Sequence, residues 1–170
     1  ISLARTSIEQ QLSAENHSNS VVLGFGGMGK KAAEVLFSLG EKEVTVICRN
    51  YEKHINSEEN LPENIKFISF EQWKDSKFDA SLVISTIRNI TPTFDMDNPM
   101  PTKCESTIMD FSWPPSIDEK ALHAKQKLFG MKHWIQASHS LEKEWDYGSA
   151  IAKSEDLIEQ NVHPTVICEG

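Results

Sequence analysis

Residues 21–29 read V-V-L-G-F-G-G-M-G, and no other stretch constrains the fold of this chain as strongly. An apolar run, Val21 to Leu23, enters the pattern Gly24-x-Gly26-x-x-Gly29. A helical pattern follows at once, from Lys30 through Ala32, Ala33, Val35, Leu36 and Phe37 to Leu39. Strand, glycine turn and helix in that order form the context in which such glycines carry meaning. Gly24 permits a tight turn, Gly26 lets a pyrophosphate approach the backbone, and Gly29 lets the helix pack close to the strand. The helix start then offers free N–H groups and the positive end of its dipole to a phosphate. The alternative is a glycine-rich turn that binds nothing.

The rest of the chain reads as further units of the same kind. Ile1 to Leu12 is an amphipathic helix and Ser13 to Ser20 a polar loop. Gly40 stands where a C-cap glycine belongs, and Val44 to Cys48 is a β-branched run suited to a strand buried on both faces. Tyr51 to Glu63 is charged and helix-like, and Phe70 to Lys74 is a brief helix or turn. Strands are expected at 65–68, 81–85 and 107–111, with an irregular, proline-bearing segment from Arg88 to Lys103. A capped helix is expected over Ser116 to Lys127 and a sixth strand over Leu128 to Ile135. Leu141, Trp145, Ile151, Ile158 and Val162 then form one stripe of a long closing helix. The fold class implied is α/β: a Rossmann-type doubly wound, mostly parallel sheet with flanking helices and a long C-terminal helix.

Composition narrows the function. Hydrophobic content of 39% with 25% charged residues suits a soluble globular domain. No apolar run nears the roughly 20 residues that cross a bilayer, so no membrane partner is expected. A net charge of −8 argues against a broad nucleic-acid surface. Cys48, Cys104 and Cys168 are widely spaced, with no C-x-x-C, and the six histidines show no i, i+4 pair. No metal site is therefore expected, and a reducing, cytoplasmic setting is.

Dinucleotide sites that take NAD usually carry an acid at the end of the second strand. Here that position reads Cys48-Arg49-Asn50. Arg49 can hold a 2′-phosphate by a forked contact and Asn50 can add a donor, which favours NADP over NAD. The alternative for Arg49 is a solvated surface arginine. The missing acid also weighs against an S-adenosylmethionine site.

Several segments together resemble the nucleotide-binding domain of the glutamyl-tRNA reductase family. Gly24-Phe25-Gly26-Gly27-Met28-Gly29 is similar to that family's G-x-G-x-M-G turn, and Ile1 to Glu9 to its V-S-V-A-x-x-A-V-E linker helix. Val44 to Asn50 resembles its V-x-V-x-N-R-T/S strand end, and Ile84-Ser85-Thr86 its I-S-S/A-T. Ile108-Met109-Asp110-Phe111, Pro114 and Ile117-Asp118 resemble its L-I-D-I-A-x-P-R-D-I-D run. The chain departs from the pattern at Cys48, Asn50 and Pro115, and Ile87 and Arg88 replace small residues that lie against the cofactor.

The resemblance implies an NADP-dependent oxidoreductase of porphyrin (tetrapyrrole) biosynthesis that reduces tRNA-bound glutamate to glutamate-1-semialdehyde. Cofactor contacts are then expected at Gly24, Phe25, Gly26, Gly27, Met28, Gly29, Arg49, Asn50, Ser85 and Thr86, and no catalytic residue within this chain. Residues 1–12 would link to a catalytic domain preceding Ile1, 13–136 would bind NADP, and 137–170 would begin a spinal, dimerising helix. The implied partners are glutamyl-tRNA, through the preceding domain, and a second copy of the protein. Two other expectations stand beside this one: a shikimate dehydrogenase-like NADP oxidoreductase, and a non-catalytic nucleotide-binding module.

Overall fold

A computed structural model describes residues 3–14, 19–55, 64–76, 79–102, 105–136 and 138–139. Helix α1 (Leu3–Ala14) is followed by β1 (Ser20–Leu23), α2 (Gly27–Ser38), β2 (Val44–Ile47) and α3 (Tyr51–Ile55). Next come β3 (Ile65–Ile68), α4 (Phe70–Ser76), β4 (Leu82–Ser85), β5 (Thr107–Asp110) and β6 (Lys127–Phe129). The six strands form one sheet in the order β3-β2-β1-β4-β5-β6, and every pairing is parallel. The chain starts in the middle, builds outward to β3, then returns to the far side of β1. The doubly wound sheet expected from the sequence is the observed one.

Alternation along the strands sorts the core into two layers. Val22, Val46, Ile84 and Met109 face the side covered by α1 and α2, where they meet Ile8, Ala33 and Leu36. Val21, Leu23, Ile47, Val83 and Ile108 face the other side, where Trp73 of α4 and Phe94 and Ile117 from the loops cover them. Register keeps the layers continuous: Val22 lies beside Val46 on one flank and Ile84 on the other. The uninterrupted β-branched runs of the sequence follow from burial on both faces.

Helix α1 belongs to this core. Ile8 is 1% exposed within the α2-side layer, and Arg5 Nη1 donates to Ser38 Oγ of α2 at 3.0 Å. Ile8→Ala should cost roughly 2–4 kcal/mol in chemical denaturation, the usual range for emptying a buried aliphatic site. A loss under about 0.5 kcal/mol would mean that α1 is not part of the cooperative unit.

Two expected elements are corrected. Ser116 to Lys127 is not a helix: a single 3-10 turn, Glu119–Ala121, stands there, capped by Asp118 Oδ1, which accepts from Lys120 N at 3.0 Å. The Ser116 and Ile117 N–H groups are bound to the Asp110 carboxylate, and Ile117 bridges to Phe94, so the backbone is held extended where a helix would begin. The sixth strand ends at Phe129 rather than Ile135. Gly130 interrupts it and 131–136 is helical, turning Trp134 into the core, where its Nε1 donates to Asp110 O at 3.1 Å. Helix α3 is described only to Ile55, and the closing helix expected over Ala137 to Val162 lies outside the described residues except at 138–139.

Candidate cofactor site

The site lies at the carboxyl end of the sheet, where the order reverses between β1 and β4 (a switch point of the kind where open α/β sheets bind ligands). Gly24 leaves β1 with φ +88°, in the region that favours glycine, and its N–H donates to Ile47 O at 2.9 Å. Helix α2 begins at Gly27 with Gly26 as N-cap and no side-chain cap. Its first N–H groups are thereby left to a ligand or solvent. A Cβ on Gly29 would collide with the carbonyl of Gly24, so only glycine permits this approach of helix to strand. A Cβ on Gly26 or Gly27 would meet nothing within 4 Å, because both face open space above the turn.

Thr86, just past β4, braces the turn from below. Its N–H and its Oγ1 both donate to Leu23 O, at 2.9 and 2.8 Å. Its hydroxyl lies 3.0 Å from where a Cβ on Gly24 would stand. At the end of β2, Arg49 is exposed and Asn50 adopts φ +53°. Asn tolerates that left-handed conformation better than a β-branched residue does, which accounts for Asn rather than Thr at this position.

A cavity of about 590 Å³ lies over the turn, lined by Gly24 through Gly29 with Arg49, His54, Phe70, Thr86, Ile87 and Arg88. A second, of about 680 Å³, runs between the end of β2, α4 and the loop after β4. It is lined by Arg49, Asn50, Phe70, Lys74 and Thr93 among others, with Glu52 and Glu71. Cys48, Arg49, Phe70, Asn89 and Thr93 line both, so the two form one groove along the strand ends. Its two joined cavities and the room above Gly26 and Gly27 at the start of α2 fit a dinucleotide.

The site residues expected from the sequence divide by placement. Gly24, Gly26, Gly27, Met28, Gly29, Arg49 and Thr86 line the cavity over the turn, and Asn50 lines the adjoining one. Phe25 lines it as well, although its side chain is largely buried. Its ring is 5% exposed and packs edge-on to His54 and Phe67, with centroids 5.0 and 5.1 Å away. Ser85 turns its side chain to the opposite layer, where its Oγ lies 2.6 Å from Ser116 Oγ. Strand alternation sets this: Ser85 shares the parity of Val83, and Thr86 takes the other side. Burial pushes the Cys48 thiol above its ordinary range, which keeps it protonated and a poor nucleophile. His54, Phe70, Asn89 and Thr93 also line the groove, and no spacing in the sequence marks them.

Beneath the site, the Asp110 carboxylate is buried at the end of β5. Oδ1 accepts from Ser112 N at 3.0 Å and Ser116 Oγ at 2.9 Å, and Oδ2 from Ser116 N at 2.8 Å and Ile117 N at 3.3 Å. Because Ser116 gives its one hydroxyl proton to Asp110, Ser85 is the donor to Ser116. This chain of bonds fixes the loop from Phe111 to Ile117 against the end of β4. Among the described residues, no group of His, Cys, Asp and Glu could hold a metal ion, and no helix is long and apolar enough to cross a membrane.

An all-parallel sheet in this order, with a glycine turn at the switch point and a groove along the strand ends, defines a Rossmann-type nucleotide-binding domain of the dehydrogenases. Its fitting ligand is a nicotinamide cofactor. The chain belongs to the shikimate/quinate 5-dehydrogenase family, whose model matches residues 4–131.

Solved structures share the fold at low identity. Glutamyl-tRNA reductase from Methanopyrus kandleri aligns with TM-score 0.62 at 22% identity, over 92% of this chain and 40% of that one. The nucleotide-binding domain of glutamyl-tRNA reductase from Thermoplasma volcanium aligns with TM-score 0.62 at 14% identity, over 86% of this chain and 99% of that one. Shikimate dehydrogenase from Thermotoga maritima aligns with TM-score 0.54 at 18% identity, over 92% of this chain and 62% of that one. This chain thus spans two fifths of the Methanopyrus enzyme's length. No curated protein sequence matches it.

Proposed function

We propose that this chain is the NADP(H)-binding domain of a glutamyl-tRNA reductase-like oxidoreductase of tetrapyrrole biosynthesis. NADPH, when bound, supplies the hydride that such an enzyme uses to reduce tRNA-bound glutamate to glutamate-1-semialdehyde. The groove residues seat the donor: the N–H groups at the start of α2 take the pyrophosphate, Arg49 takes the 2′-phosphate, and Thr86 holds the turn in shape. The observation that carries this reading is the collinear set of motifs. The linker-type helix, the Gly24-x-Gly26-x-Met28-Gly29 turn, the strand end at Arg49 and the Asp110 loop occur in that order; the turn and Arg49 line the groove, while the helix packs on α2 and the Asp110 loop is tied to the end of β4. Covalent chemistry and tRNA contact belong, on this reading, to another domain of the whole protein, which acts as a dimer in the cytoplasm.

A second reading is a shikimate dehydrogenase-like NADP oxidoreductase, favoured by the family match over residues 4–131. The two separate in an assay of the full-length gene product with NADP(H). NADPH-dependent conversion of glutamyl-tRNA to an aldehyde supports the first, and NADP-dependent oxidation of shikimate or quinate overturns it. A full-length protein that binds NADPH and turns over neither substrate is a non-catalytic nucleotide-binding module, which also overturns it.

Cofactor choice is tested separately. Arg49→Ala should weaken NADPH binding by about tenfold or more, and NADH binding little, because only NADPH carries the 2′-phosphate. Fluorescence titration of both cofactors reads this, and equal losses would remove Arg49 from the 2′-phosphate. Glu52 and Glu71 in the same groove are the residues that would serve ribose hydroxyls if NAD were preferred.

A further inference from the structure

The two cavities of the groove differ in charge. The part between β2 and α4 balances Arg49 and Lys74 against Glu52 and Glu71. The part over the glycine turn is lined by Arg49, Arg88 and His54 and by no carboxylate, in a chain whose net charge is −8. Arg49 stands at the seam of the two, whereas Arg88 lines only the glycine-turn cavity. Arg88 is exposed, and no hydrogen bond or ion pair ties it to any described residue. It follows Thr86 by two residues on the β4 side of the turn, opposite Arg49 on the β2 side.

From this placement we infer that Arg88 is a second pyrophosphate-binding residue, closing on the diphosphate from the β4 side while the start of α2 holds it from below. The inference rests on the dinucleotide reading and adds a role for a residue whose size alone would count as an obstruction. An arginine lining the same cavity as a helix start that has no side-chain cap can give the diphosphate a charge-assisted partner on each side. The two arginines then divide the ligand: Arg49 reads the 2′-phosphate, and Arg88 reads the linkage shared by NADP, NAD and ADP-ribose.

The test is a titration of the chain and its Arg88→Ala and Arg88→Lys variants with NADPH, NADH and ADP-ribose, at low and at moderate salt. Arg88→Ala should weaken all three ligands by the same factor, about tenfold, and flatten the salt dependence. Arg88→Lys should recover part of the loss, since it restores charge without the forked contact. Far-ultraviolet circular dichroism and melting temperature should match the parent, because Arg88 is exposed. An unchanged affinity for all three ligands would return Arg88 to the solvated surface. A loss confined to NADPH would place it at the 2′-phosphate, and an unaffected ADP-ribose would place it against the nicotinamide; either overturns the inference. A parent chain that binds none of the three overturns the dinucleotide reading itself, which separates that failure from a failure at Arg88.

Discussion

Gly26→Val and Gly29→Val should fail in opposite ways. A side chain on Gly26 meets nothing within 4 Å, and the backbone there, φ −79° and ψ −162°, suits any residue. The Gly26→Val chain should therefore melt within about 2 °C of the parent, as exposed substitutions do. It should nonetheless bind NADPH about a hundredfold more weakly or not at all, because the new methyl groups stand where the diphosphate approaches and remove two or more charge-assisted bonds. Gly29→Val drives its Cβ into the Gly24 carbonyl, which the backbone can relieve only by separating α2 from β1. That variant should lose about 3 kcal/mol or more of stability whether or not ligand is present. Thermal melts beside NADPH titrations decide both. A Gly26→Val chain that binds normally would mean that the cradle is not used, and a stable Gly29→Val chain would mean that helix and strand are not in contact.

Asp110→Ala should be strongly destabilising, and Asp110→Asn, the closest match in shape, should recover only part of the loss. Each carboxylate oxygen accepts from two donors. An NH2 group in the Oδ2 place confronts the two backbone N–H groups of Ser116 and Ile117, and in the Oδ1 place it can donate to the Ser116 hydroxyl, with the Ser116–Ser85 bond reversed, but still opposes the Ser112 N–H. Asp110→Ala should cost roughly 2–4 kcal/mol, the penalty of unmade bonds in a buried place, and Asp110→Asn roughly 1–2 kcal/mol for the opposed Ser112 N–H. The loss should appear as earlier urea unfolding and faster proteolysis between Phe111 and Leu122. An Asp110→Asn chain within about 0.5 kcal/mol of the parent would show that the loop does not depend on these bonds.

Much of the sheet was legible because burial on both faces writes itself into the chain as β-branched runs. Val21 to Leu23, Val44 to Ile47, Leu82 to Ser85 and Thr107 to Asp110 are all such runs, and all are strands. The glycine turn was legible because each of its glycines answers a different geometric demand. What escaped were places where a distant group overrides a local preference. Ser116 to Lys127 has the composition of a capped helix, but a carboxylate from β5 captures its first amides. Leu128 to Ile135 alternates well enough for a strand, but the chain turns at Gly130, and Trp134 stacks on Phe111, with centroids 4.7 Å apart, instead of extending the sheet. The site divides on the same ground. The turn residues are local and were legible. The inward ring of Phe25 and the sideways hydroxyl of Ser85 depend on layer parity across the strands, and the groove positions of His54 and Phe70 depend on β3 and α4 arriving beside β2.

Helix α2 is a strut with both ends committed. Its first turn offers its amides at Gly26 to Met28, and its last turn is gripped by Arg5, while Ile8 wedges into the layer between. At 12 residues it is about 18 Å long, a stiff body at the scale of the domain. A load that draws α1 aside must therefore rotate the strut or break its far contact, and the rotation moves the amides at the near end. If a dinucleotide held at the near end restrains that rotation, reciprocity requires it to resist the displacement of α1 by the same free energy.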